Sequence, residues 1–307
     1  MKPLHFLPAA ILCLAGVANA QPLPWTEVDA NGFYIDGDAQ LTYVDTDTLP
    51  IGRLFGADLS AGYVALGGPL TWGVDVSLQT LRADQGDPLT ATWVSLFMET
   101  DIGQFAVGAP RPAFDDYRPR TPFSDLSLVG AQAQSLTSSN TWRTNLQGDE
   151  MPWGVRYDGQ IGDLSFGASV HRFNDADITA VGLAARYRFD DTLSVAAGYD
   201  ESAEPTRDMQ AMFASVDVDY GRYGGQLIYS EIGEVGGMSI GAVTASGFFR
   251  PIEPLTLSLT LLDISEIDEP YYMVEAEYEL GRGAYLSLGA GESLGRQIGE
   301  VAFGWRF

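Results

Sequence analysis

Apolar and polar residues alternate along most of this chain with a period of two. Phe33, Ile35, Ala39, Leu41 and Tyr43 interleave with Tyr34, Asp36, Asp38, Gln40 and Thr42. Leu255, Leu257, Leu259 and Leu261 interleave with Thr256, Ser258 and Thr260, and Tyr272, Val274, Ala276, Tyr278 and Leu280 with Met273, Glu275, Glu277 and Glu279. Such alternation belongs to β-strands with one face in an apolar medium and the other in a polar one. Sixteen segments of this kind are predicted, at 32–45, 51–65, 70–82, 90–99, 103–109, 152–158, 163–172, 178–189, 192–200, 208–220, 222–231, 238–250, 255–263, 271–280, 284–292 and 298–307.

Two features separate a membrane barrel from a soluble sandwich. Aromatic residues stand near the ends of the apolar faces (Phe33, Tyr43, Trp72, Trp153, Tyr187, Tyr220, Tyr278), as a barrel wall has where it meets the two membrane interfaces. The joins also alternate. Tight turns such as Gly67-Gly68-Pro69, Asp190-Asp191 and Gly281-Arg282-Gly283 take turns with longer, often acidic stretches such as ESAEPTRD, SEIDEP and ESLGRQ. An even strand number with short turns at one end and longer loops at the other predicts an all-β fold, a transmembrane antiparallel barrel of about 16 strands. Closure pairs every backbone group in a medium that offers no hydrogen bonds.

The largest interruption is 110–151, rich in Pro, Arg, Asp, Ser and Asn and without sustained alternation. Phe114, Tyr117, Phe123, Leu126 and Trp142 give it buried-type anchors. A connection this long inside a compact domain is a functional candidate. It is expected to fold into the bore as the third long loop and narrow it.

Composition then restricts the chemistry. With 41 Asp and Glu, the chain is a poor nucleic-acid partner. The first twenty residues read as a signal peptide, with Lys2, an apolar run over 6–17 and Ala18-Asn19-Ala20 at the cleavage site. Removing them takes away the only lysine, the only cysteine and His5, leaving a single barrel domain at 21–307 with net charge 16 − 41 = −25. His171 is then the sole histidine, and its neighbours carry no nucleophile motif, so the chain is not expected to be an enzyme. No metal or cofactor is expected; the acidic loops offer hard oxygen ligands for Ca²⁺, but no spacing resembles a calcium loop.

The last strand, Glu300-Val301-Ala302-Phe303-Gly304-Trp305-Arg306-Phe307, alternates and ends on an aromatic residue. It resembles the assembly signal of bacterial outer-membrane proteins, carried here by Phe303, Trp305 and Phe307. GFYIDGDAQLTYVD, TWGVDVSLQT and FAVGAPRPAFDDY resemble the first strand, the third strand and the entry to the constriction loop of general bacterial porins, of the acidic α-proteobacterial type. The resemblance implies a homotrimeric channel in the outer membrane of a Gram-negative bacterium. It would contact outer-membrane lipid and lipopolysaccharide and be inserted by the barrel-assembly machinery. Loop acids would face wall arginines across an eyelet: Asp115, Asp116 and Asp125 on one side, Arg156, Arg186, Arg188 and Arg111 on the other. The denser basic cluster found early in the barrel of such porins has only Arg53 and Arg82 to represent it.

The net charge adds a cation preference, giving a weakly cation-selective pore for passive diffusion of small hydrophilic solutes and ions. A barrel-embedded hydrolase and a non-conducting structural or adhesive barrel share much of the same pattern. They stand as the alternatives.

Overall fold

The computed structural model describes residues 31–307 apart from 47–51, 68–69, 85–86, 120–127, 149, 236, 266 and 270. The expected signal peptide, and Phe123, Asp125 and Leu126 of the long loop, lie outside the described residues. The strands are β1 (Gly32–Thr46), β2 (Arg53–Gly67), β3 (Leu70–Ala83), β4 (Leu89–Thr100), β5 (Gly103–Ala109), β6 (Trp153–Ile161), β7 (Leu164–Phe173) and β8 (Ile178–Arg188). They continue as β9 (Leu193–Ala203), β10 (Asp208–Asp219), β11 (Tyr223–Glu234), β12 (Ser239–Ile252), β13 (Leu255–Ile264), β14 (Tyr271–Gly281), β15 (Ala284–Ser293) and β16 (Arg296–Arg306). Each pairs antiparallel with its sequence neighbour, and β1 pairs with β16 to close the barrel. The seam extends past the last strand, where the Phe307 N–H donates to the Gly37 carbonyl at 2.9 Å.

The period of two sorts the side chains as expected. Leu41, Tyr43, Val155, Leu183, Leu259, Val274 and Phe303 point outward and are exposed on the isolated chain. Their neighbours Gln40, Thr42, Arg156, Thr260 and Glu275 point inward and are buried. In β12, whose two faces the sequence leaves mixed, Ala242, Thr244 and Ser246 point inward and Val243 and Phe249 outward. Outward aromatics gather near both rims, with Phe33, Trp72, Phe189, Tyr220 and Tyr278 at the short-turn end and Tyr43, Phe55, Trp153 and Tyr272 at the other. Arg53 and Arg82 share the outward parity of Phe55 and Trp72, and Arg53 pairs with Asp84 at 3.3 Å.

The joins differ from expectation at the long-loop end. ESLGRQ contracts to a two-residue turn, Leu294-Gly295, with φ of 53° and 69°. Two positive φ values in a two-residue hairpin turn match the right-handed twist of the flanking strands. Only the connection between β5 and β6 stays long. It is helical in part, with α1 (Ala113–Tyr117), α2 (Leu128–Thr137) and α3 (Asn140–Gln147). Ser139 starts α3 by accepting the Trp142 N–H at 2.9 Å, an N-cap.

Candidate functional site: the lumen and its inward loop

β5 has seven residues and stops short of the long-loop rim. At Gly108 the backbone takes φ of 116°, and a Cβ there would sit 2.7 Å from the Val94 carbonyl, so the residue must be glycine for the chain to leave the wall. The loop then runs inside the barrel. At its root the Pro110 carbonyl accepts from His171 Nε2 at 2.8 Å, and the Ala113 N–H donates to Ser169 Oγ at 3.1 Å. Phe114 meets Phe213 edge to face with centroids 4.8 Å apart.

The upper part of β4 stays paired with β3 on one edge, but the departure of β5 leaves its other edge without a strand partner, since pairing there begins only at Val94. Asn145 of α3 takes that place. Its Nδ2 donates to the Thr92 carbonyl at 2.9 Å, and its Oδ1 accepts the Thr92 N–H at 3.4 Å. Trp142 and Leu146 pack on Ala91 and Trp93, while Trp142 Nε1 donates to Gln79 Oε1 at 2.5 Å. A side-chain amide and an indole thus seal a gap that a strand would have filled.

Charged side chains fasten the loop to the wall. Arg156 holds Asp158 through Nε (2.6 Å) and Nη2 (2.9 Å), pairs with Asp116, and donates to the Arg111 carbonyl at 3.1 Å. Arg111 pairs with Asp58 of β2. Burial works against its charge, yet Asp58 and Asp116 outweigh that and hold its pKa above the ordinary value. Asp115 accepts from the Ser139 N–H at 2.8 Å and its hydroxyl at 2.6 Å. Burial lifts its carboxyl above the usual range, with Ser139 and Arg118 pulling the other way. Asp200 Oδ1 accepts the Asn140 N–H at 2.8 Å, and Ser293 donates to Gln132 at 3.0 Å. At the loop's end Glu150 accepts backbone N–H groups from Asn174 (2.5 Å), Asp175 (2.9 Å) and Ala176 (3.2 Å), bonds that hold its pKa below the ordinary carboxylate value.

Of the eyelet residues read from the sequence, Asp115, Asp116, Arg111 and Arg156 come together at the loop root, and they bond to the loop and wall around them. Arg186 faces the same region and donates to the Tyr117 carbonyl at 2.9 Å. Arg188 stays exposed near the short-turn rim. Neither arginine holds Asp190, which instead caps its own turn by accepting from Thr192 and Leu193. His171, the sole histidine of 21–307, is buried at the loop root beside the Trp93 ring. Among the described residues no His, Cys, Asp and Glu side chains gather as a metal group.

The inner wall from β14 through β16 and β1 to β3 is acidic. Glu275, Glu277, Glu279, Glu300, Asp36, Asp38, Asp58 and Asp75 all have inward parity there. Arg306 is an inward arginine of this arc; it grips Glu277 (2.5 and 2.8 Å), lies 3.6 Å from Asp38, and stacks 4.3 Å over the Tyr285 ring. Asp75 accepts from Tyr34 at 2.5 Å and from Ser77 at 2.8 Å. Parity alone marks Asp58, Asp75 and Glu300 as inward. Arg53 and Arg82, the two arginines left to stand for an early basic cluster, face away from the lumen.

A family profile described as Gram-negative porin matches residues 8–297. A mutant of the porin from Rhodopseudomonas blastica is similar in structure, with a TM-score of 0.64 at 15% identity over 90% of this chain and 100% of that one. A triple mutant of the same porin gives 0.66 at 17% identity over the same shares. At such identity the likeness concerns the fold. No curated protein sequence matches the chain.

Proposed function

This chain belongs to the Gram-negative porin family, and from that premise we propose that it is a weakly cation-selective pore for passive diffusion of small hydrophilic solutes and ions. Family and fold make it an outer-membrane channel protein. The ion preference is carried by the acidic arc from β14 to β3. Porins of the type the sequence resembles set arginines across from the loop acids; here the corresponding wall carries carboxylates, and Arg306 is engaged by two of them. The loop-root arginines are matched in the same way, Arg111 by Asp58 and Arg156 by Asp116 and Asp158. A low-dielectric wall focuses the remaining negative field along the bore and enriches cations there. Rings of acidic side chains are the usual device of cation-preferring pores.

In this reading residues 1–20 are a cleaved export signal and Phe307 belongs to the assembly signal. Trimers would form through the small outward positions Ala39 and Ala61, which let neighbouring walls approach closely; Ala57, of the same parity, is already buried on the isolated chain. Purified protein added to a planar bilayer should give discrete conductance steps in KCl. Inserted, heat-modifiable protein that gives none would contradict the channel reading.

A further inference from the structure

We infer that the inner wall from β12 to β14 holds a site for a small hard cation, ligated by Glu275 Oε2 and the hydroxyls of Thr260 and Ser246. This rests on the channel reading above, which it deepens by placing on the wall a point where a cation is held. Gln226, Ser246 and Thr260 stand directly opposite one another on β11, β12 and β13, all facing inward. Glu275 of β14 pairs with Ser258, so Thr260 is its diagonal neighbour on the same face. Directly opposed Cβ atoms lie about 4.5–5.5 Å apart and diagonal ones about 7–8 Å, a span that a long side chain crosses.

Gln226, Ser246, Thr260 and Glu275 are 9%, 8%, 2% and 5% exposed. Among the described residues, Gln226 Nε2, Ser246 Oγ, Thr260 Oγ1 and Glu275 Oε2 have no hydrogen-bond partner. Buried polar groups are ordinarily satisfied, so an adjoining set that is not marks a place for a ligand. One carboxylate and two hydroxyls are the oxygen donors that hard cations take; Gln226 Nε2, a donor, suits the oxygen of a water carried by the ion. Ser287 bonds to the Glu275 carboxyl without neutralising it, and Glu277 and Glu300 add negative charge nearby. Arg306 acts on Glu275 only from a distance, because Glu277 and Asp38 hold it. Met273, two residues along the same face, belongs to a buried apolar cluster with Val44 and Ile298, and low-dielectric neighbours strengthen the pull on a cation. An uncompensated carboxylate beside such a cluster is costly, and a bound cation removes that cost. No three acids converge on a point among the described residues, so binding is expected at about 1 mM, the loose end of protein calcium sites.

The probe is CaCl2, added to the full-length protein in two assays. In planar bilayers bathed in KCl, millimolar calcium should lower the single-channel potassium conductance. In detergent solution it should raise the temperature at which the barrel loses its compact, heat-modifiable form, since a ligand that binds only the folded state stabilises it. Glu275→Gln should raise the calcium concentration for half of each effect by at least about tenfold. Thr260→Val alters no charge and should raise it by a smaller factor. A wild-type calcium response in folded Glu275→Gln protein would overturn the site. So would a conducting wild type that calcium changes in neither assay, the result if a proton neutralises Glu275 instead. An unchanged response in Thr260→Val would overturn the hydroxyl ligands and leave only surface charge. Inserted protein without conductance would overturn the channel reading itself, and the heat-modification shift then still decides for or against the site.

Discussion

Arg156 is the side chain whose loss the structure makes most costly. Its side chain is 5% exposed, and its partners Asp158 and Asp116 are 3% and 16% exposed. Replacing it with Gln leaves two carboxylates without their counter-charge and frees the Arg111 carbonyl at the loop root. Removing one partner of a buried ion pair costs about 3–5 kcal/mol, because the remaining charge stays desolvated. Arg53→Gln serves as the reference, since that pair is 69% and 40% exposed. An exposed pair of this kind is worth about 0–1 kcal/mol. Reversible urea unfolding in phospholipid vesicles, followed by tryptophan fluorescence, measures both. Neutralising all three groups together, Arg156→Met with Asp116→Asn and Asp158→Asn, should recover much of the loss, because a buried pair is dear to break and cheap to replace. If Arg156→Gln falls within about 0.5 kcal/mol of wild type, the range of ordinary surface substitutions, the loop root is not held as described.

Three further outcomes follow from particular contacts. Asn145→Ala should uncover the Thr92 N–H and C=O on β4 and cost about 1–3 kcal/mol, the penalty for buried groups left unpaired; amide exchange at Thr92 should rise while β9 and β10 stay protected. Glu150 has a folded pKa below its ordinary value because backbone N–H groups favour the carboxylate. Its contribution is therefore fully present above the unfolded value, about 4.3, and is lost as pH falls through the lower folded value. Exchange at Asn174, Asp175 and Ala176 should accelerate in that acid window in wild type, and Glu150→Gln should abolish the pH dependence. Phe307→Glu should reduce the yield of heat-modifiable, membrane-inserted protein, since it alters the residue that follows the β1–β16 seam; normal yield would remove Phe307 from assembly.

The wall was legible because lipid outside and polar groups inside impose one period on every strand. β5 was readable to the residue, its predicted span of 103–109 coinciding with the observed strand. ESLGRQ was misread as a loop because Glu292, Arg296 and Gln297 lie near the rim, where the outward face no longer needs to be apolar and the alternation fades. The loop helices were hidden for a different reason. α1 has five residues and α3 eight, too short to establish a period of 3.6, and their anchors bond to groups distant in sequence. Trp142 could be named as an anchor, but its seat against Gln79 and Trp93 could not. Asn145 carries no local signal at all, because its role exists only where β5 is missing. The acidic arc was legible in part: parity gave Glu275, Glu277 and Glu279, whereas the outward turn of Arg53 and Arg82 needed the register of β2 and β3.

The sign of the ion preference tests the account most directly. Reversal potentials across a tenfold KCl gradient should show potassium more permeant than chloride, with the preference fading as salt rises and screening shortens toward about 3 Å at 1 M. Asp115 is bonded within the loop and Asp116 to Arg156, so replacing both with Asn should shift the potential less than replacing Glu275, Glu277 and Glu279 with Gln. A wild-type reversal potential of the opposite sign would mean that the arginines, and not the acidic arc, govern the bore.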